Sequence, residues 1–129
     1  MIKTGLLNPQ ILSLLARIRH TNTLVIADRG FPFWPMLETV DISLVDDIPT
    51  VLQVFDAIKS NYNIGQIYMA SEFLKTNSRA VINNYAVSRG EILIKYEAHI
   101  EFKLRVPNAI GLIRTGDTIQ YANMIIESA

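Results

Sequence analysis

Short apolar runs alternate along this chain with segments that have the spacing of amphipathic helices, and this alternation restricts the possible fold most strongly. The run TLVIA at 23–27 is continuously apolar and rich in β-branched residues, which is typical of a strand buried on both faces. Before it, Asn8 and Pro9 form a typical helix start, and apolar residues follow with helical spacing. Residues 9–18 are therefore predicted to form an amphipathic helix.

The rest of the chain continues the same alternation. Helices are predicted over 49–59, 77–88 and 99–105, and strands over 41–45, 66–70, 91–96, 109–113 and 121–127. Two prolines exclude regular structure from GFPFWP at 30–35. Strands that alternate with helices indicate a mainly parallel sheet with right-handed crossovers. We therefore expect one α/β domain over residues 1–129, with a Rossmann-like sheet and helices on both faces.

Composition excludes several classes of partner. Twelve basic and twelve acidic side chains cancel, so no broad field exists to attract nucleic acid or an anionic membrane. There is no cysteine, which rules out disulfides and thiolate metal sites. The mean hydropathy of +0.23 is high for so short a chain and suggests buried subunit interfaces. Neutral partners, or further copies of the chain, fit this composition better.

The first residues, MIKTGLLNPQ, lack the apolar run of a signal peptide, and no apolar stretch is long enough to span a membrane. We therefore expect a cytoplasmic protein without membrane contact.

Polar residues follow several predicted strands, where ligands of open parallel sheets bind. Asp28 follows the first strand, Glu72 the third and Arg114 the fifth, while His99 lies just beyond the fourth. We expect these residues to converge on one edge of the sheet. The glycine-rich fingerprints of nucleotide sites are missing, and two histidines 79 positions apart make a weak case for a metal. No metal site is predicted.

Several segments together resemble the D-ribose pyranase and fucose mutarotase family across nearly the whole chain. They are GLLNPQI, HTNTLVIADRGFP, DISL, HIEFK and IRTGDTIQYANMIIES, in this order. The most specific parts are His-Thr with an aspartate eight positions after the histidine, and Arg-Thr-Gly-Asp followed by Tyr-Ala-Asn. The segment HIEFK is similar to the ribose branch of the family.

The resemblance implies a cytoplasmic, cofactor-free α/β protein that forms ring-shaped homo-oligomers and interconverts cyclic forms of a free monosaccharide, D-ribose in the first place. It also implies a sugar site completed by subunit assembly. His20 matches the catalytic histidine of the family. The residues that match sugar contacts are Asp28, His99, Tyr121, Ala122 and Asn123, with Lys103 in the same neighbourhood.

The chemistry implied by the resemblance agrees with these residue types. Opening a cyclic sugar removes a proton from the anomeric hydroxyl and delivers one to the ring oxygen. A histidine can do both because its side chain titrates near neutral pH, and such proton transfer contributes roughly 10²–10⁴-fold in rate. Tyr121 and Asn123 offer the mixed donors and acceptors that a polyol needs.

Each of these residues also has a purely structural interpretation. His20 follows a helix, where a cationic side chain stabilises the helix end. Asp28 is a good turn residue and His99 could cap a short helix. Tyr121 could be an ordinary strand aromatic, and Asn123 a turn or edge residue. The second function considered is accordingly a non-catalytic sugar-binding or regulatory relative that keeps the pocket without turnover.

The loop after the first strand raises two further expectations. Arg29 stands beside Asp28 where the family carries a small residue, so we expect it to pair with that carboxylate or to narrow the pocket. Phe33 and Trp34 are candidates for stacking on a sugar ring, and equally for the core or a subunit interface.

Overall fold

The structure is a computed structural model that describes residues 5–129. Residues 1–4, which belong to the predicted domain and to the segment inspected for a signal peptide, lie outside it. The strands are β1 Thr23–Ala27, β2 Thr39–Asp41, β3 Ile64–Ala70, β4 Leu93–Glu97, β5 Gly111–Arg114 and β6 Met124–Ser128. The helices are α1 Pro9–Arg17, α2 Val51–Lys59, α3 Glu72–Thr76, α4 Arg79–Arg89 and α5 His99–Arg105, followed by a 3-10 turn over Val106–Asn108.

The six strands form one mixed sheet in the order β2-β5-β1-β6-β3-β4. Neighbouring strands are parallel except at β6, which runs antiparallel to both β1 and β3. The predicted α/β fold with a mainly parallel sheet is therefore confirmed. The reversed strand β6 lies near the centre of the sheet, and it brings the start of one strand to the edge where the other five strands end.

Helices cover both faces of the sheet, as predicted. Leu24 and Ile26 of β1 pack into the larger core with residues of α1, α2, α3 and α4. Val25 and Ala27 point to the opposite face and pack into a second core with Phe102 of α5. Strand β1 therefore has apolar residues at consecutive positions because both of its faces are buried.

Side-chain caps define where the helices begin. The Asn8 side chain accepts a hydrogen bond from the Ile11 N–H at 2.9 Å, which confirms the predicted start of α1. At α2 the cap is Thr50, which forms a reciprocal capping box with Gln53. Helix α2 therefore begins at Val51, two residues later than predicted.

The predicted strand over 41–45 is wrong in its position. Strand β2 ends at Asp41, and the chain then forms a tight turn in which Val45 and Ile48 pair as an isolated bridge. Leu44, Val45 and Ile48 are exposed, so two of the apolar residues that suggested the strand, Leu44 and Val45, lie on the surface at this turn.

The predicted helix over 77–88 corresponds to α4, Arg79–Arg89, and is confirmed with its start shifted by two residues. The Ser78 side chain caps α4, which starts at Arg79. A separate short helix, α3, begins at Glu72 and ends at Thr76. Helix α3 was missed because five residues are too few to show a helical period.

Candidate functional site

Four of the predicted site residues meet in a cleft of about 340 Å³ at one edge of the sheet. Asp28 follows the end of β1 and His99 follows the end of β4. Tyr121 and Asn123 precede β6, and they reach the same edge because β6 runs in the opposite direction. The residues that line the cleft are Asp28, Gly30, Phe31, Pro32, His99, Gln120, Tyr121 and Asn123.

The carboxylate of Asp28 is held in place by its own turn and by Asn123. Its Oδ1 accepts a hydrogen bond from the Gly30 N–H at 3.0 Å. The side-chain oxygen of Asn123 accepts one from the Asp28 N–H at 2.7 Å, and Asn123 is almost fully buried. Burial raises the pKa of Asp28 despite the opposing hydrogen bonds from Gly30 and Asn123. Asp28 is thus a fixed, half-buried acceptor facing the cleft.

The imidazole of His99 lies between two aromatic rings. It stacks on Phe102 with ring centroids 6.0 Å apart, and it meets Tyr121 edge to face at 5.2 Å. Burial and the nearby charge of Lys103 lower the pKa of His99, although Glu72 and Asp28 act in the opposite direction. The neutral imidazole is therefore favoured, and it can both donate and accept a hydrogen bond.

Two of the predicted sugar contacts, Lys103 and Ala122, are absent from the cleft lining. Lys103 lies one helical turn beyond His99 and does not line the cleft. Ala122 is fully buried in the larger core, between two cleft residues.

Tyr121 has a φ of 59°, a left-handed conformation that is uncommon for a bulky residue. The predicted strand over 121–127 is therefore wrong at its start, since residues 121–123 form the turn that enters β6.

His20 does not join this cleft within one chain. It is exposed in the turn between α1 and β1, and the N–H of the next residue, Thr21, donates to the Ser128 carbonyl at 3.1 Å. Asp28 lies at the other end of β1, whose five residues span roughly 16 Å. His20 and Asp28 therefore lie too far apart to act on one sugar within a single chain.

Arg29 does not pair with Asp28, contrary to expectation. Its guanidinium donates to Asp46 at 2.9 Å, and both side chains are largely exposed. Arg29 does not line the cleft either. The carbonyl of Arg29 accepts from Arg114, which also pairs with Asp41, so these charges are matched with one another.

Neither Phe33 nor Trp34, the two candidates for stacking on a sugar ring, lines the cleft. Phe31 and Pro32 line it, whereas Phe33 points to solvent with 76% of its surface exposed. Trp34 is half-buried against the second core. In the sequence, only the short distance from Asp28 indicates that Phe31 and Pro32 lie at the cleft. The first residues after a strand lie nearest the sheet edge where that strand ends.

Glu72 and Asn77 are close to the cleft without lining it. Both carboxylate oxygens of Glu72 accept from the His99 N–H, at 3.0 and 3.1 Å. The side-chain amide of Asn77 donates to the Gln120 carbonyl at 2.9 Å. Glu72 was expected at this edge, and the structure adds its contact with His99. Asn77 was missed because nothing local in the sequence links it to position 120.

Within residues 5–129, no three His, Cys, Asp or Glu side chains are grouped closely enough to hold a metal ion. Over the same residues, no helix has the length and apolar character needed to span a membrane. The cleft itself combines a carboxylate, an imidazole, a phenol hydroxyl and an apolar wall. These groups are suited to a small neutral molecule with several hydroxyls, which needs both donors and acceptors.

Known proteins are similar in sequence to this chain over nearly its whole length. A relative from Geobacillus thermodenitrificans named D-ribose pyranase is 36% identical over 128 residues, which cover 99% of this chain and 96% of the relative. A protein of the same name from Actinobacillus pleuropneumoniae is 33% identical over 135 residues, which cover 99% of this chain and 97% of the relative.

Solved structures share the fold. Bacillus subtilis RbsD complexed with D-ribose matches with a TM-score of 0.91 and 30% identity, covering 100% of this chain and 98% of that one. The fucose mutarotase from Streptococcus pneumoniae in complex with L-fucose has a TM-score of 0.79 at 20% identity, covering 95% and 92%, which shows a common fold alone. The family model described as the RbsD / FucU transport protein family matches residues 1–129. The resemblance seen in the sequence is confirmed, and the chain belongs to the RbsD / FucU transport protein family.

Proposed function

We propose that this protein is a sugar mutarotase of the D-ribose pyranase type, an isomerase that interconverts cyclic forms of a free monosaccharide, with D-ribose as the first candidate. The observation that carries the proposal is the meeting of Asp28, His99 and Tyr121 beside an apolar wall at one sheet edge. Relatives named D-ribose pyranase and the ribose-bound RbsD structure support the choice of sugar.

In the proposed reaction the cleft binds the sugar through its hydroxyls. The Asp28 carboxylate accepts from one hydroxyl, and the neutral imidazole of His99 exchanges a hydrogen bond with another. The Tyr121 hydroxyl serves a third, while Phe31 and Pro32 cover the apolar side of the ring. We assign Asn123 mainly to fixing Asp28, because its side-chain oxygen is already engaged by the Asp28 N–H.

The chemical step is a pair of proton transfers. The anomeric hydroxyl loses its proton as the bond between C1 and the ring oxygen breaks, and the ring oxygen gains a proton. This gives the open-chain aldehyde. Attack of another hydroxyl on C1 reverses these transfers and closes a different ring. We assign the acid and base role to His20, and the scheme uses neither a metal nor a cofactor.

Because His20 lies at the opposite edge of its own sheet, the proposal requires that His20 of a second copy reach the cleft. A ring of identical subunits, in which each His20 edge meets the cleft edge of the next subunit, satisfies this requirement. Exposed apolar side chains support such contacts, since Phe33, Leu44 and Ile100 each have at least 68% of their surface exposed. We propose the cytoplasm, where free sugar arrives after uptake, as the location.

The separation of His20 from the cleft also favours a second candidate, a sugar-binding protein without turnover. A chain whose copies do not place His20 at a neighbour's cleft still has Asp28, His99 and Tyr121 with which to bind a sugar.

Saturation-transfer NMR distinguishes the two candidates. Exchange between the ring forms of D-ribose and other aldoses is measured with the wild type, with His20→Gln and with Arg19→Gln as the neighbouring exposed control. The enzyme proposal predicts faster exchange with wild type and Arg19→Gln. It predicts a fall of roughly 10²-fold or more in His20→Gln, while affinity changes by less than about tenfold. Aldose binding without accelerated exchange would support the binding protein.

A further inference from the structure

The two ends of the short helix α3 contact the backbone beside two ring-bearing residues of the cleft, His99 and Tyr121. At its first residue, Glu72 accepts the backbone N–H of His99. Immediately after its last residue, Asn77 donates to the carbonyl of Gln120, the residue before Tyr121. His99 and Tyr121 are themselves in edge-to-face contact at 5.2 Å. Helix α3 and the residue that follows it therefore contact the backbone beside each ring of this pair.

Glu72 supplies the hydrogen-bond acceptor that the start of α5 lacks. Helix α5 begins at His99, and its cap residue, Ala98, has no side chain that can accept the first N–H groups. Glu72 supplies that acceptor from another element. A carboxylate at a helix start is electrostatically favourable as well, so the contact fixes where α5 and its first side chain begin.

The Asn77 contact supports a strained position. Tyr121 has a φ of 59°, and such a conformation persists only where the surroundings hold it. Asn77 donates both to Gln120 and, at 3.1 Å, to the Phe73 carbonyl within α3. It thereby joins the end of the helix to the turn that contains Tyr121.

The helix itself is firmly anchored. Phe73 is fully buried and its ring packs against Tyr85 of α4, with centroids 4.7 Å apart. The Ser71 N–H, just before α3, donates to the Glu97 carbonyl at 2.7 Å at the end of β4. Helix α3 is thus a rigid support, and its two polar ends transmit that rigidity to the cleft.

We propose that Glu72 and Asn77 are positioning residues, which hold the rings of His99 and Tyr121 in the geometry that receives the sugar. The part of this inference that concerns catalysis rests on the proposed function, whereas the part that concerns the positions of the two rings does not. Glu72 also acts on the His99 imidazole through its charge. The charges that act on His99 are those of Glu72 from α3, Asp28 after β1 and Lys103 of its own helix, with the uncharged Tyr121 ring alongside.

The first test uses NMR and needs no sugar. The His99 imidazole is titrated in the wild type, in Glu72→Gln, in Asn77→Ala and in Lys75→Ala, an exposed control on the same helix. The pKa of His99 should fall in Glu72→Gln, because the carboxylate that favours the charged imidazole is lost. In Asn77→Ala the ring-current shift that Tyr121 imposes on His99 should change instead. Lys75→Ala should change neither. An unaltered His99 signal in both variants would overturn the proposal.

A measurement on the wild type alone covers the case in which a variant fails to fold. The hydrogen bond from His99 holds the pKa of Glu72 below its usual range. The chemical shift of the His99 backbone amide should therefore follow the protonation of Glu72 as the pH is lowered. An amide that shows no such step would contradict the contact on which the proposal depends.

Measurements of sugar affinity then test whether the contacts of Glu72 and Asn77 matter for binding in the cleft. Glu72→Gln and Asn77→Ala should each weaken aldose affinity by about tenfold, because a displaced ring offers a poorer hydrogen bond, while Lys75→Ala should bind as the wild type does. Equal affinity in all four proteins would reject the role in the cleft. If no aldose binds even the wild type, the proposed function fails, and the two NMR tests still decide whether Glu72 and Asn77 position the rings.

Discussion

The side-chain oxygen of Asn123 accepts a hydrogen bond from the Asp28 backbone N–H at 2.7 Å, although the two residues are 95 positions apart. This bond joins the end of β1 to the start of β6. It fixes the residue that carries the cleft carboxylate to a side chain that is only 4% exposed. The cleft therefore depends on a buried contact between two antiparallel strands.

Replacing Asn123 with Ala should lower both stability and sugar affinity. The partly buried N–H of Asp28 loses its acceptor, which costs about 1 kcal/mol in the free energy of unfolding. Urea unfolding gives the stability, and calorimetric titration gives the affinity for D-ribose. The matched control is Gln120→Ala, an exposed neighbour on the cleft rim, which should unfold like the wild type. Equal stability of Asn123→Ala and the control would show that the bond contributes nothing.

Replacing Arg29 with Ala should leave sugar affinity unchanged. The sequence suggested the opposite, but the guanidinium pairs with Asp46 away from the cleft lining. Because both partners are largely exposed, the free energy of unfolding should change by less than about 1 kcal/mol. Asp46→Ala should behave in the same way. A marked change in affinity confined to Arg29→Ala would mean that this side chain reaches the cleft in solution.

Replacing Asp117 with Ala should destabilise the protein by at least about 2 kcal/mol. The carboxylate is buried and accepts from the Val51 N–H at the start of α2 and from the Ile119 N–H, both at 2.8 Å. Asp117→Asn keeps one acceptor and should fall between Ala and the wild type in urea unfolding. Loss of stability no larger than that of the exposed control Asp46→Ala would contradict this account.

His99 should make stability depend on pH in a defined direction. Its pKa in the folded protein is below the unfolded value, so the unfolded chain binds more protons. The contribution of His99 is complete above the unfolded pKa of about 6.5 and is lost as the pH falls through the folded value. Urea unfolding at several pH values in this window should show a steeper loss for the wild type than for His99→Gln. Since the two proteins differ only at position 99, the comparison isolates His99. Parallel curves would show that His99 does not contribute.

Two inactive variants should complement each other if neighbouring subunits share the site. His20→Gln keeps the cleft, and Asp28→Asn keeps the histidine, so each alone should lose most catalysed ring exchange. In a coexpressed mixture, random assembly restores both groups at about one interface in four, and activity should recover to a similar fraction. Light scattering should give a mass well above that of a dimer. A monomeric mass, or no recovery in the mixture, would reject the shared site.

The fold was predictable from sequence where local signals agree with burial. β1 was located correctly because all its residues from Leu24 to Ala27 are buried, and α1 because Asn8 caps a helix with an apolar face. The strand predicted over 41–45 was wrong because apolar residues also occupy the exposed turn at 44–48. The reversal of β6 could not be deduced, since its apolar run has the same composition as that of a parallel strand.

The cleft was predictable as far as strand ends determine it. Asp28 and His99 follow strands, so their meeting was expected from topology alone. Tyr121 and Asn123 were assigned by resemblance, and they reach this edge only through the reversal of β6. The contacts that support the cleft and its surroundings could not be predicted from the sequence. Asn77 and Gln120 are 43 positions apart, and Asp117 and Val51 are 66 positions apart.

The central place of β6 has a consequence for how the chain acquires its structure during synthesis. Strands β2, β5 and β1 form one half of the sheet and β3 and β4 form the other, and among the strands of residues 5–129 only β6 pairs with both halves. All five strands leave the ribosome before residues 124–128. Until then the inner edges of β1 and β3 have no partner strand, and exposed edges of this kind invite pairing with other chains. Completion of the sheet and creation of the cleft therefore coincide in a single late event, so a nascent chain has no partly formed sugar site.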